Sequence, residues 1–327
     1  MKIDKLISAC LHSLFIIFFS VSFLSCQDEK KKDPENQTEE IQESKKETER
    51  GPDVTTIVTN AMEFKTKDKL DSGWHTFRYN NKSNETHFVL FDRYPDGYGI
   101  ENAKTELIPP FQEGMNFIIE GKMEEANAAF AKIPEWFQGV KFKGGVGLIS
   151  ANSTAESTIY LEPGTYILEC YVKMPNGMFH SAQGMVKEIQ VVAADSSKAE
   201  IREDYTVSIN ATEGIVFNQN PSAGKKIFKV DFGEQKVYEN YVMHDVHLVW
   251  VGQGSDISQL NDWMNWAAPE GLQTPAPQGF KFLGGMQEMD SGGTGYFTAD
   301  LRPGNYALIA EIPDPQGKGM LKTFTVK

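Results

Sequence analysis

Apolar and polar residues alternate over residues 74–79, 88–91, 165–172 and 185–192, the period of strands that bury one face. Pro163-Gly164 and Pro175-Asn176-Gly177 punctuate these runs as turns. A different period interrupts them. Met115, Ile119, Met123, Ala126, Phe130 and Ile133 fall on one helical face, and Pro134 ends it, which predicts one helix across 115–133. A shorter helix is expected from about Ser255 to Trp266. At the start of the chain, an apolar run over residues 6–24 follows Lys2 and Lys5.

The pattern occurs twice. Gly139-Val140-Lys141-Phe142-Lys143-Gly144-Gly145 recurs as Gly279-Phe280-Lys281-Phe282-Leu283-Gly284-Gly285, and Pro163-Gly164-Thr165-Tyr166 as Pro303-Gly304-Asn305-Tyr306. Upstream, His87-Phe88-Val89-Leu90-Phe91 matches His247-Leu248-Val249-Trp250-Val251. Constant block order at near-constant spacing marks an internal repeat. The expected class is mainly β, with two Greek-key β-sandwich domains that each carry a helical insertion. The Gly-Gly blocks read as turns. The divisions are residues 1–25, 26–52, 53–194 and 200–327, with a polar linker around 193–197.

The first two divisions concern address. A positive start, an apolar run and the small residue Ser25 before Cys26 form a secretory signal. Cys26 in the first mature position resembles the lipobox of bacterial lipoproteins, which implies lipid on its thiol and a membrane as partner. An uncleaved apolar anchor is the alternative, since the run is nearly long enough to span a bilayer. Residues 27–50 are almost wholly polar and read as a disordered acidic tether. Asp28-Glu29 beside the cysteine resembles the surface-export signal of Bacteroidetes lipoproteins, so an outer-membrane lipoprotein facing the periplasm or the medium is expected. The net charge of −13 argues against nucleic acid as a partner. Among three cysteines, Cys10 leaves with the signal and Cys26 takes lipid, so Cys170 stands alone in the folded part. It is either a buried core residue or a ligand.

His87, Cys170, His180 and Met185 are the candidate ligands. Two imidazoles, a thiolate and a thioether form a soft N/S set that suits copper. The block from Pro163-Gly164-Thr165-Tyr166 to Cys170, His180 and Gly184-Met185 resembles the cupredoxin family. The approach Gly73-Trp74-His75-Thr76-Phe77, Asn84 and His87 is similar to that family's first-histidine segment. The resemblance implies one copper in the first domain held by those four residues, a role in electron transfer or copper handling, and a redox partner protein. One departure stands out: nine residues, including a turn, separate Cys170 from His180, where the family keeps them close. The chain must run out and back as a hairpin for the two to meet.

The second copy has Ala310 in place of Cys170 and a shortened stretch in place of His180, so no such site is expected there. His244 and His247, three apart, form a weak surface-metal signal and read as structural. His75 beside Trp74 reads as an exposed-face residue. Trp136, Trp250, Trp263 and Trp266 read as packing rather than sugar-stacking residues. Hydrolase and phosphate-binding motifs are absent from the sequence. A metal-free binding or adhesion lipoprotein on the same scaffold is the other reading.

Overall fold

The computed structural model describes residues 52–194 and 200–327. The export signal, Cys26 and the tether lie outside the described residues. The first copy supplies β1 (Asp53–Thr59), β2 (Lys69–Asp71), β3 (Gly73–Asn81), β4 (His87–Arg93), β5 (Lys141–Ile149), β6 (Ser153–Leu161), β7 (Gly164–Glu169) and β8 (Val186–Val192). The second supplies β9 (Tyr205–Asn210), β10 (Gly214–Val216), β11 (Gly224–Phe232), β12 (Val246–Val251), β13 (Phe280–Met286), β14 (Thr294–Leu301), β15 (Gly304–Ile309) and β16 (Leu321–Val326). The chain is mainly β, as the alternation predicts. Among the described residues no helix is long and apolar enough to cross a membrane.

Two sheets pack around a shared core, and each sheet runs through both copies. One has the order β1-β3-β6-β14-β11-β9-β10, the other β16-β15-β12-β13-β5-β4-β7-β8-β2. The copies join antiparallel at β6–β14, where Ser157 faces Phe297, and at β5–β13, where Val146 faces Met286. The repeat extends to fine detail. β1 lies parallel to β3 and β9 parallel to β11. In each Pro-Gly-x-Tyr turn the buried tyrosine hydroxyl donates to a carbonyl four residues back, Tyr166 to Glu162 (3.0 Å) and Tyr306 to Arg302 (2.8 Å). That bond closes the strand-to-strand corner over an apolar ring.

The Gly-Gly blocks are not turns. They sit inside β5 and β13, where the ladder is irregular and another backbone crosses closely. A Cβ on Gly145 would stand 1.9 Å from the Val89 carbonyl oxygen, and one on Gly285 2.1 Å from that of Val246. Glycine is required there by contact, not by chain reversal.

The first helical insertion also differs from expectation. Helical residues begin at Ile100 and run to Ile119, and a separate helix spans Met123–Phe130. Gly121 breaks the run with a left-handed φ of 74°. Its N–H and that of Lys122 turn back to the carbonyls of Ile118 and Phe117, a glycine C-cap. Met115, Ala126 and Phe130 are buried, whereas Ile119 and Met123 at the break are exposed. The second insertion, Ile257–Trp263, falls where expected, with the Asp256 side chain capping Ser258 N–H.

His75 is not on an exposed face. On β3 it shares parity with Phe77 and Tyr79 rather than with Trp74, so it is 4 % exposed, and its Nε2 lies 2.7 Å from the Asp71 carbonyl oxygen.

Candidate metal centre

His87 opens β4 at a register irregularity, and Cys170 follows the last residue of β7. Neighbouring strands of one sheet therefore bring the two together across 83 residues. His180 arrives by the hairpin its spacing demands. Beyond Cys170 the chain stays extended. It reverses where Gly177 N–H donates to the Met174 carbonyl (2.8 Å), and Met174 N–H to that of Met178 (2.7 Å). On the return, His180 N–H donates to the Val172 carbonyl at 2.9 Å. Residues flanking a turn face each other, and the long interval is thereby absorbed. Met185 lies just before β8. Its N–H donates to the His180 carbonyl, and its own carbonyl accepts from Cys170 N–H at 3.3 Å.

The hairpin is held from both sides. Gln112, on the helix Ile108–Ile119, accepts from Phe179 N–H (2.7 Å) and donates to the Gly177 carbonyl (3.2 Å). Phe179 stacks on Trp266 of the second copy, 5.7 Å between centroids. Lys173 is fully buried, and its ammonium donates to the Trp266 and Ala268 carbonyls at 2.9 and 2.6 Å.

His87, Cys170, His180 and Met185 are all fully buried. The Nδ1 atoms of His87 and His180 are 3.0 Å apart, and Cys170 Sγ lies 3.9 and 3.7 Å from them. A point equidistant from these three atoms is about 2.1 Å from each, the scale of metal–nitrogen and metal–sulfur bonds. The donor set fits one copper ion.

One of the proton arrangements open to the two histidines suits a metal. Ser83 Oγ donates to Asn81 Oδ1 at 2.7 Å, and Asn81 is oriented because its Nδ2 donates to the Glu85 and Ser150 carbonyls. Ser83 Oγ has then spent its only proton, so His87 Nε2–H must donate to it (2.8 Å). The Nδ1 lone pair of His87 is left facing Cys170 and His180. His180 Nε2 lies 3.1 Å from Glu85 Oε2. If His180 carries its proton on Nε2, to satisfy an ionised Glu85, two Nδ1 lone pairs oppose each other at 3.0 Å. If it carries the proton on Nδ1, its Nε2 lone pair opposes the carboxylate. A cation among the three donor atoms would satisfy the first arrangement; in the second the Nδ1 proton bonds His87 Nδ1, and Glu85, whose carboxyl burial holds above its ordinary range, can give its own proton to Nε2. For His87, donation from the far ring nitrogen to an oxygen is also the usual arrangement for a metal-bound histidine.

Burial sets the charge states. Desolvation, and then the neighbouring His180, lower His87 to about 3, and desolvation lowers His180 to about 4. Burial pushes the Cys170 thiol up to about 12. Both imidazoles are neutral and ready to ligate, and a metal must displace the thiol proton. Asn81, Ser83 and Glu85 were not anticipated as site residues. The anticipated Asn84 is exposed. The available signal was the unbroken polar run Asn80–Thr86 directly before His87.

In the second copy Ala310 N–H donates to the Met320 carbonyl at 3.0 Å, matching Cys170 and Met185 bond for bond without the thiol. His244 and His247 are fully buried rather than at the surface. Asp245, His247 and Glu311 have metal-ligand spacing, but the polarity is wrong. Leu148 N–H donates to His247 Nδ1 at 2.9 Å, so the neutral ring carries its proton on Nε2, the atom that faces both carboxylates. That is a proton-sharing cluster. The structural reading of His247 accounts for it.

No family model and no curated protein matches this chain. Solved structures of the kind the sequence resemblance names do. Auracyanin B is 22 % identical, covering 39 % of this chain and 92 % of its own, with a TM-score of 0.28. Auracyanin A, a blue copper protein of Chloroflexus aurantiacus, is 21 % identical over 43 % of this chain and 100 % of its own, with a TM-score of 0.27. The copper nitrite reductase of Nitrosomonas europaea is 11 % identical over 85 % of this chain and 94 % of its own, with a TM-score of 0.24. Likeness at this level is weak, and the case for a metal rests on the buried donor atoms.

Proposed function

We propose that this chain is a membrane-tethered copper protein whose first copy holds one ion for one-electron transfer or copper handling. The observation that carries this reading is the convergence of His87 Nδ1, His180 Nδ1 and Cys170 Sγ within 3.9 Å of one another in a fully buried setting. His87, His180 and Cys170 would hold copper there, with Met185 as the fourth candidate donor, and the ion would supply a one-electron couple between its +1 and +2 states. The chain's own part is to fix the Nδ1 lone pair of His87 through Ser83 and to set the Glu85 carboxyl beside His180 Nε2. It also shields the ligands from water, so that charge can change without ligand exchange. Lipid on Cys26 would hold the folded part at the outer membrane, facing the periplasm or the medium, within reach of a redox partner protein.

The experiment uses the mature lipoprotein extracted from membranes of cells fed labelled palmitate. Stoichiometric Cu(II) is expected to give an intense visible thiolate-to-copper band that is lost in Cys170→Ser. Label is expected in the native chain and not in Cys26→Ser. Absence of the band from the native protein removes the copper reading and leaves a metal-free binding or adhesion lipoprotein. Label that survives Cys26→Ser removes the tether.

A further inference from the structure

A pocket opens at the seam between the copies, beside the metal centre but not part of it. Its walls are aromatic: Phe111, Phe137 and Phe142 from the first copy, Phe179 on the hairpin, and Tyr241 and Trp266 from the second. Phe111, Phe137 and Tyr241 meet edge to face, with centroids 5.6 to 5.9 Å apart, so the rim is a fixed ring surface and not a loose apolar patch.

Two carboxyl groups, Glu169 and Glu288, line the same pocket, and its lining contains no lysine or arginine. Glu288 is 4 % exposed. Its Oε2 accepts from Met243 N–H at 3.0 Å, and among the described residues no donor reaches its other oxygen. Trp266 is 4 % exposed, and its indole N–H also lacks a partner. Asp92, Asp245 and Glu311 stand behind these carboxyls, buried as well. Desolvation, and then the carboxylates of Glu311, Asp245 and Glu169, hold Glu288 well above the usual range. Asp245 and Glu311 have His247 beside them, whereas no basic side chain lines the pocket next to Glu169 and Glu288, and buried acid without a cation costs stability. A pocket that combines aromatic faces with uncompensated carboxyls complements a positive charge on an apolar body.

We propose that this pocket binds a small organic cation: an ammonium group seated between Glu169 and Glu288, on an apolar body held by the aromatic walls. The hydrogen bonds from a charged donor to two carboxylates supply most of the affinity, and the rings exclude anions and larger polar molecules. This assignment does not depend on copper.

The test is calorimetric titration of the metal-free mature protein with phenethylamine, 3-phenylpropanol and 3-phenylpropionate, which share a ring and differ in the head group. The amine is expected to bind saturably at one site, with the alcohol and the acid at least about tenfold weaker. Glu288→Gln and Glu169→Gln should each weaken the amine by a similar factor while melting no lower than wild type, because each replaces a buried acid with a neutral group of the same shape. Should either variant fail to fold, Tyr241→Ala at the exposed rim provides the second check, with amine affinity expected to fall at least about threefold. Equal affinity for amine and alcohol overturns the assignment. So does the absence of saturable amine binding, or amine binding undiminished in every variant that folds.

Discussion

Ser83 shows how one hydroxyl can decide whether a histidine is a ligand. It has one proton, gives it to Asn81, and so obliges His87 to donate from Nε2 and present Nδ1 to the site. Replacing Ser83 with Ala removes that obligation without touching a donor atom. Copper affinity of Ser83→Ala, measured by competition with a chelator of known affinity, is expected to fall about 10- to 100-fold. The visible band should persist at saturation, because His87, Cys170 and His180 remain. Unchanged affinity would mean that the ring is oriented by packing alone. The three donors that converge, His87, Cys170 and His180, were legible because copper chemistry restricts residue type. Their supports were not, because Asn, Ser and Glu ahead of a strand look like any solvated loop until burial is known. His75 was misread for a related reason: on a strand the neighbour in sequence points to the other face, and Phe77, not Trp74, was the residue to compare.

At the scale of elements, the hairpin between Cys170 and His180 is where the chain departs from a compact ligand loop, and Lys173 anchors it. Its ammonium is buried against the Trp266 and Ala268 carbonyls, and desolvation lowers its pKa to about 7. The unfolded chain keeps Lys173 protonated up to the ordinary lysine range, near 10.4. Between about pH 7 and 10 the unfolded state therefore binds more protons than the folded one, and stability rises with pH through that window. The contribution is full above the unfolded pKa and is lost as pH falls to about 7. Denaturant unfolding at pH 7 and at pH 10 should show wild type gaining on Lys173→Met by up to a few kcal/mol, at about 1.4 kcal/mol per pKa unit. Parallel pH profiles would show that the lysine stays charged in the fold. The hairpin could be inferred from Pro175-Asn176-Gly177 and the ligand spacing. The break at Gly121 could not, since Ile119 and Met123 continue the helical period across it and only their exposure reveals that the period is accidental. The Gly-Gly blocks misled similarly, because local sequence does not show that another strand will cross there.

The repeat was plain in the sequence, whereas the joining of both copies into continuous sheets was not, because cross-strand pairing between distant segments leaves no periodic trace. The seam holds more than ladder bonds. Ser157 Oγ donates to the Gly285 carbonyl (2.8 Å), Leu148 N–H to His247, and Ser150 N–H to the Phe282 carbonyl (3.1 Å), while Phe282 N–H returns to Ser150 Oγ. A Cβ on Gly147 would stand 2.9 Å from Gly285 Cα, so the copies meet at backbone contact. Residues 53–194 expressed alone would expose β5 and β6 as long edges beside an apolar face, the arrangement that drives strand addition between chains. The two copies meet like with like, β5 on β13 and β6 on β14. The most accessible partner for an orphaned first copy is therefore a second molecule of itself. Light scattering of the fragment is expected to show dimers or larger species, and Ser157→Lys and Val146→Lys should shift it toward monomer at the expense of stability. A monomeric fragment that unfolds as cooperatively as the full chain would show that the seam is an accessory. A self-associating one would explain why the second copy persists without a thiol: it covers the edges of the copy that holds the metal ligands and supplies, through Trp266 and the 266–274 segment against Lys173, one wall of the hairpin that brings His180 home.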